Sequence, residues 1–460
     1  GLLWKKVQGD CNAFFRALDG VFALALYDEA ADEIIIGRDP YGVRPLFVGN
    51  AENGVVFASE MKAIVDIPGI LSIEHFLPGT WARYSRGGRL IESGVYHSVP
   101  WIKHMIYSPV SDQGLYRACE ALRESLVLAV RKRVVNSERP IGALLSGGID
   151  SSLIASLVAR ELRSLGKGPL QTFSIGFEGS SDLHYARMVA EFIGSNHTEI
   201  IATPDQFFEA IPQVIKDIES YDITTVRASV GNWLVSKEIA ARSDVKVVFN
   251  GDGSDEVFGS YLYFYRAPSE DAFEAESERL LKDIHKYDVL RSDRCISSHG
   301  LEPRTPFLDK SFVAVARSIA TVWRRPRVGE QGMERSLGDV DEPQPEKWIL
   351  RKAFEGQYIL PTPVLWRRKE AFSDGVSGQG TSWYQEIQSR VSVQSEGGVY
   401  THLPPISAES AYYRTIFNTY YGKLGEGVIS YFWMPRWSGE TTDPSARTLS
   451  LYTSKKVGDK

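Results

Sequence analysis

Short apolar runs broken by Gly, Pro and Asp dominate the first hundred positions. Val21–Tyr27, Glu33–Gly37 and Val55–Ala58 read as strands, with turn residues at Asp28–Asp32 and Asp39–Gly42 between them. Connections this short predict antiparallel pairing. From Leu115 the period changes. Leu122, Leu126 and Val130 fall on one face of a helix predicted over Cys119–Val134. Apolar runs at Ile141–Leu145, Gln171–Ile175, Thr198–Ile201 and Val245–Phe249 then alternate with helical periodicity, including Tyr185–Ile193. Alternating strands and helices predict a parallel, doubly wound sheet. Beyond Gly259 the pattern is mostly helical. The polar segments Arg324–Glu346 and Ser392–Pro405 read as exposed loops. This patterning divides the chain at about Tyr107, into units 1–107 and 108–460.

The run Ile141-Gly142-Ala143-Leu144-Leu145 leads into Ser146-Gly147-Gly148-Ile149-Asp150-Ser151-Ser152, and Ile149, Leu153, Ile154, Leu157 and Leu162 then recur at helical spacing. Strand, glycine-rich turn and helix N-terminus in that order aim backbone N–H groups and the positive helix end at one spot, which suits phosphate. Two glycines let the backbone approach it closely, and Ser146 and Ser151 add hydroxyl donors. Asp150 would repel a phosphate unless a cation lies between them, which points to Mg²⁺ shared with pyrophosphate. Ser, Gly and Asp also make ordinary solvated helix caps. The loop lacks the lysine of a Walker loop and resembles the PP-loop of ATP pyrophosphatases.

Val245–Phe249 runs into a second such turn, Asn250-Gly251-Asp252-Gly253-Ser254-Asp255-Glu256. Ligands of open parallel sheets gather at the carboxyl ends of strands, so both turns are expected on one edge. Clustered carboxylates repel unless a cation joins them. Asp255 is then a second magnesium ligand and Asp252 a base acting on substrate, or the turn is a solvated helix start.

Composition narrows the partners. The 460 residues carry a net charge of −6, which disfavours nucleic acid. No apolar run of about 18 residues is present, so no membrane span is expected. The scattered Cys11, Cys119 and Cys295 make neither a disulfide framework nor a zinc site and fit a reducing, cytoplasmic setting. Small molecules are the expected partners. Composition leaves the oligomeric state open, a homodimer included.

These turns belong to an ordered set of segments. Others are Thr172–Gly176, Tyr221–Ser229, Gly253–Gly259, Leu301–Asp309, Lys352–Phe354, Arg368–Gly375 and Asp443–Thr448. On them the chain resembles the glutamine-dependent, B-type asparagine synthetases over nearly its whole length from about Asp19. The resemblance implies a C-terminal doubly wound PP-loop ATP pyrophosphatase domain and an N-terminal Ntn-type (αββα) glutaminase domain. It also implies a reaction: aspartate attacks the α-phosphate of ATP, giving β-aspartyl-AMP, and ammonia displaces AMP. Carried over residue by residue, Leu144 and Ile175 line the adenine and ribose pocket, and Ser146, Gly147, Gly148, Asp150 and Ser151 hold pyrophosphate. Asn250 and Gly251 contact the nucleotide, and Asp150 and Asp255 bind Mg²⁺. Asp252 takes the position needed for the aspartyl-AMP step. Lys369 neutralises departing pyrophosphate, or is a surface lysine beside Arg367 and Arg368. Arg227 pairs with a substrate carboxylate or with an acid of the fold. Glu302 and Arg304 read as internal polar scaffold.

Three departures stand out. Asn250 and Asp252 replace the serine and glutamate common in that family, and Ser260 replaces a usual glycine. The family's N-terminal cysteine nucleophile has no counterpart at Gly1, so the glutaminase unit reads as incomplete and nitrogen is expected from free ammonia, or from glutamine if an upstream segment is supplied. The alternatives are an inactive or regulatory homologue, or a related PP-loop amide or β-lactam synthetase acting on another carboxylate.

Overall fold

Isoleucines at alternating and successive positions of Glu33–Arg38 bury both faces of that strand, which sits inside a sheet rather than at its edge. The computed structural model describes residues 2–99, 110–327, 344–377, 382–391, 400–439 and 443–449. In the N-terminal unit, β1 (Ala23–Asp28), β2 (Glu33–Arg38), β6 (Thr80–Ser85) and β7 (Leu90–Val95) form one antiparallel sheet in the order β1-β2-β6-β7. A second antiparallel sheet has the order β4-β3-β5, from β3 (Phe47–Ala51), β4 (Gly54–Ala58) and β5 (Ile70–His75). The loop from Asp39 to Leu46 joins the sheets. The buried Asp39 carboxylate fixes it by accepting the backbone N–H groups of Tyr41, Val43 and Arg44 at 3.1, 3.0 and 2.9 Å.

The division read at Tyr107 falls outside the described residues. From residue 110 the second unit follows the alternation expected. A five-stranded parallel sheet has the order β10-β9-β8-β11-β12, with β8 at Ile141–Leu144, β9 at Gln171–Gly176, β10 at Asn196–Ile201, β11 at Val247–Phe249 and β12 at Glu302–Arg304. Helices cover both faces. Leu126 of α1 (Asp112–Val135), Leu153 of α2 (Ile149–Ser164) and Val189 of α3 (Ser181–Ile193) pack on the face that receives Val247 and Phe249. Ile211 of α4 (Pro204–Ile218) and Val230 of α5 (Ile223–Arg242) pack on the face that receives Phe173 and Val248. Phe47, Ile64 and Ile73 of the N-terminal unit join this second core, so the two units share buried surface.

The strand order reverses at β8, whose neighbour β11 is reached only after β9 and β10. Such a reversal opens a crevice at the carboxyl ends of the two strands. The Ser146 turn leaves β8 there and the Asn250 turn leaves β11. Two expectations need correction. The helical pattern expected beyond Gly259 is broken by β12, whose three residues containing Pro303 carry no period; it is an edge strand, where a missing N–H is tolerated. The segment Arg324–Glu346 is not exposed at its ends: Arg324, Gln344 and Glu346 are all buried. Its centre lies outside the described residues, as do residues 392–399 of the second polar segment.

Candidate active site

Gly147 has φ +72°, and a Cβ there would lie 2.5 Å from Cβ of Tyr185, so only glycine makes this turn against α3. The turn then closes on itself. The Ser146 N–H donates to Ser151 Oγ at 3.1 Å, and the two hydroxyls lie 3.0 Å apart. Gly148 caps α2, which puts Asp150 in its first turn. Arg367 braces the loop by donating to Ser146 O at 3.3 Å and to Asp182 at 2.6 Å while lying over the Tyr185 ring.

The acidic turn packs directly on this loop. A Cβ at Gly251 would approach Ser151 N to 2.7 Å and the Asp150 backbone carbon to 2.8 Å, so glycine brings the two turns into contact. Asn250 is buried and donates to Ser292 Oγ at 2.7 Å. Leu144, Ser146, Gly148, Asp150, Ser151 and Ile175 line a single cavity with Asn250, Gly251, Asp252, Asp255 and Lys369. Sequence reasoning thus places all but two of its candidates on one cavity: Gly147 shapes the loop from behind, and Arg227 lies elsewhere.

Lys347 was missed. Its ammonium bridges Asp150 and Asp255, at 2.7 Å from the Asp255 carboxylate, and its side chain is 1% exposed. Lys369 reaches the other Asp255 oxygen at 2.6 Å. Burial alone would raise the Asp255 carboxyl, but the two ammonium groups hold it well below the usual carboxylate range. Burial would likewise lower the Lys347 ammonium, and the Asp150 and Asp255 carboxylates raise it above its ordinary value instead. Lys347 stands at φ +58°, a left-handed conformation that costs energy for a residue with a Cβ. Glu346 holds it there. Its carboxylate accepts Arg351 Nη2 and the Lys369 N–H, each at 2.9 Å, and Tyr265 OH at 3.1 Å, so one buried acid anchors both lysine segments. Ser260, a departure from the family pattern, donates to Asp255 at 2.5 Å. The signal for Lys347 was present only as a lone lysine after a Pro- and Glu-rich stretch, 197 residues from its partner Asp150.

Asp252 has a different environment. Arg291 approaches it at 3.3 Å while also pairing with Asp288, and its second oxygen has no hydrogen-bond partner among the described residues. Burial pushes its carboxyl up to about 6, against the pull of the Arg291 guanidinium. Asp150 Oδ1 is also without a partner among the described residues. Two carboxylates with oxygen still to offer, beside a phosphate-shaped loop, suit a hard cation such as Mg²⁺. No group of three or more His, Cys, Asp or Glu side chains forms a metal cage among the described residues. A cation here would therefore draw further ligands from phosphate oxygens and water, as Mg²⁺ does with nucleotides.

Arg227 does not reach the cavity. Its guanidinium is taken up by Glu409, at 2.5 and 2.7 Å, and by Asp443, at 2.9 Å through two nitrogens. Burial disfavours its charge, yet these two acids hold it above its ordinary value. Of the scaffold pair, Arg304 is largely buried and pairs with Glu302 at 3.0 Å, but Glu302 is half exposed. No helix of the described residues is long and apolar enough to cross a membrane.

Known proteins resemble this chain over both units. The family described as asparagine synthase matches residues 121–274 and 267–403, and a glutamine amidotransferase domain matches residues 3–85. The chain is 41% identical over 97% of its length to the glutamine-hydrolyzing asparagine synthetase of Gallus gallus, and covers 80% of that protein. It is 40% identical, with the same two coverages, to the corresponding proteins of Homo sapiens and Mus musculus.

Proposed function

The chain belongs to the asparagine synthetase family, ATP-dependent carbon–nitrogen ligases, and we propose that it makes asparagine through a β-aspartyl-AMP intermediate with ammonia as the immediate nitrogen donor. The observation that carries this reading is the junction of the two turns, where Asp150, Asp255, Lys347 and Lys369 meet at the mouth of a phosphate-shaped loop. A side-chain carboxylate oxygen of aspartate attacks the α-phosphorus of ATP, and the bond from that phosphorus to the bridging oxygen breaks. Pyrophosphate carries away the electron pair. The Ser146–Ser151 loop holds it, and Lys369 and Lys347 turn from Asp255 and Asp150 to offset its charge. Asp150 through its unpaired oxygen, and Asp255 through an oxygen that the lysines release, would hold Mg²⁺. When bound, that ion draws charge from the phosphates and aligns them. Ammonia then attacks the β-carbonyl carbon, the carbon–oxygen bond to AMP breaks, and Asp252 accepts a proton. A carboxyl raised to about 6 is well matched to that task near neutral pH.

Ammonia attacks the intermediate whether it arrives free or from glutamine, and Cys11, Cys119 and Cys295 are not suited to release it from glutamine, since burial raises the first two to about 11 and the third to about 12. A thiol kept protonated is a poor nucleophile for an amide. The test supplies Mg-ATP, aspartate and ammonium, and measures pyrophosphate and asparagine. Equal yields of both are expected. Pyrophosphate released only with a different carboxylic acid would overturn the assignment of aspartate.

A further inference from the structure

The helix α7 (Asp288–Ser297) carries four consecutive buried residues that reach in two directions. Arg291 and Ser292 meet the acidic turn: Arg291 lies 3.3 Å from Asp252, and Ser292 accepts from Asn250 at 2.7 Å. Asp293 and Arg294 meet the N-terminal unit. Asp293 accepts from Arg44 at 2.6 Å, while Arg294 donates to Glu60 at 2.8 Å and to the Ser59 carbonyl. Successive helical residues are turned by about 100°, so a four-residue stretch can hold two opposite neighbours. Both N-terminal anchors are themselves fixed. Arg44 ends the loop that Asp39 pins through its backbone. Glu60 begins a turn whose Met61 and Lys62 N–H groups both donate to the buried Glu219 of the C-terminal unit at 2.8 Å.

We propose that Arg44 and Glu60 are positioning residues for the ATP-dependent reaction: by fixing α7 they set where Arg291 holds Asp252. The inference rests on the function proposed above. It gives the N-terminal unit a second task, one that persists when ammonia is supplied directly. Neither partner touches the Ser146 loop that holds the phosphates, so the step that uses Asp252 is the quantity they chiefly control. Misplacing a catalytic group by a fraction of an ångström lowers the rate of its step without loosening substrates held elsewhere.

The experiment measures asparagine formation from ammonium, aspartate and Mg-ATP by Arg44→Met, Arg44→Lys and Asp293→Asn variants of the full chain. Asp19→Asn is the control. It breaks another contact between the units, with Lys132 at 3.0 Å, that does not involve α7. Arg44→Met is expected to lower kcat about tenfold, with KM for ATP unchanged within about twofold. Arg44→Lys restores part of the rate, and Asp19→Asn matches the wild type. If Arg44→Met loses its native near-UV spectrum, Asp293→Asn carries the same expectation at about threefold. An unchanged kcat in the folded Arg44 and Asp293 variants overturns the inference, as does an equal loss in Asp19→Asn. A wild-type chain that releases no pyrophosphate with aspartate overturns the functional reading, and the inference with it.

Discussion

The cluster of Asp150, Asp255, Lys347 and Lys369 and the cluster of Arg227, Glu409 and Asp443 both take cations and carboxylates out of water, but they do different things with them. Around Arg227 the hydrogen bonds close: two carboxylates grip one guanidinium through three nitrogens, and Trp383 donates to the Arg227 carbonyl at 3.2 Å behind it. At the turns they stay open. Among the described residues Asp150 keeps an oxygen without a partner, Asp252 keeps another, and two ammonium groups crowd one carboxylate at a cavity. A closed cluster resists change and holds the fold. An open one is poised to exchange partners with a charged substrate. Charge burial alone does not mark a site; incomplete pairing beside a cavity does.

The largest break in this comparison should come from Asp150→Asn, which removes charge from the open cluster while keeping its shape. Aspartate-dependent pyrophosphate release is expected to fall about a thousandfold, the scale for losing a group that stabilises developing charge. The same kind of change in the closed cluster should register as stability. Arg227→Met leaves the buried Glu409 without its cation, which costs about 3–5 kcal/mol in denaturant unfolding, and the folded fraction keeps its KM for ATP. A variant of unchanged stability and weakened ATP binding would erase the distinction between the two clusters.

What the sequence allowed follows the same division. Both glycine-rich turns are contiguous and follow apolar strands, so residue type and spacing were enough to find them. The parallel sheet was legible for the same reason in β8 to β11. β12 was not, since three residues around Pro303 have no period, and its place is fixed by pairing with β11 through tertiary contact. Lys347 lay hidden because its surroundings read as solvent-facing loop, whereas Arg351 and Tyr265 hold its neighbour Glu346 in the interior. Arg227 had both readings open because its partners stand 182 and 216 residues away. Local chemistry is written in the chain; a charge's partner across the fold is not.

Two smaller effects sharpen the open cluster. Lys369→Met removes one of the two ammonium groups and is expected to lower kcat about a hundredfold, read in pyrophosphate release under saturating Mg-ATP. The acid limb of the pH profile reports Asp252. Its carboxyl is raised to about 6, so it is ionised above that pH and protonated below it. With free NH₃ held constant, asparagine formation should fall about tenfold per unit as pH drops below about 6. A limb placed near 4 would mean that burial does not tune this group.

The central claim is that oxygen from the aspartate side chain bonds to the α-phosphorus at the junction of the two turns. Aspartate carrying ¹⁸O in its side-chain carboxylate, incubated with Mg-ATP and ammonium, tests it by mass spectrometry of the products. The account predicts one ¹⁸O in AMP, none in pyrophosphate, and asparagine retaining the other. Label appearing in inorganic phosphate, with ADP in place of AMP, would contradict it.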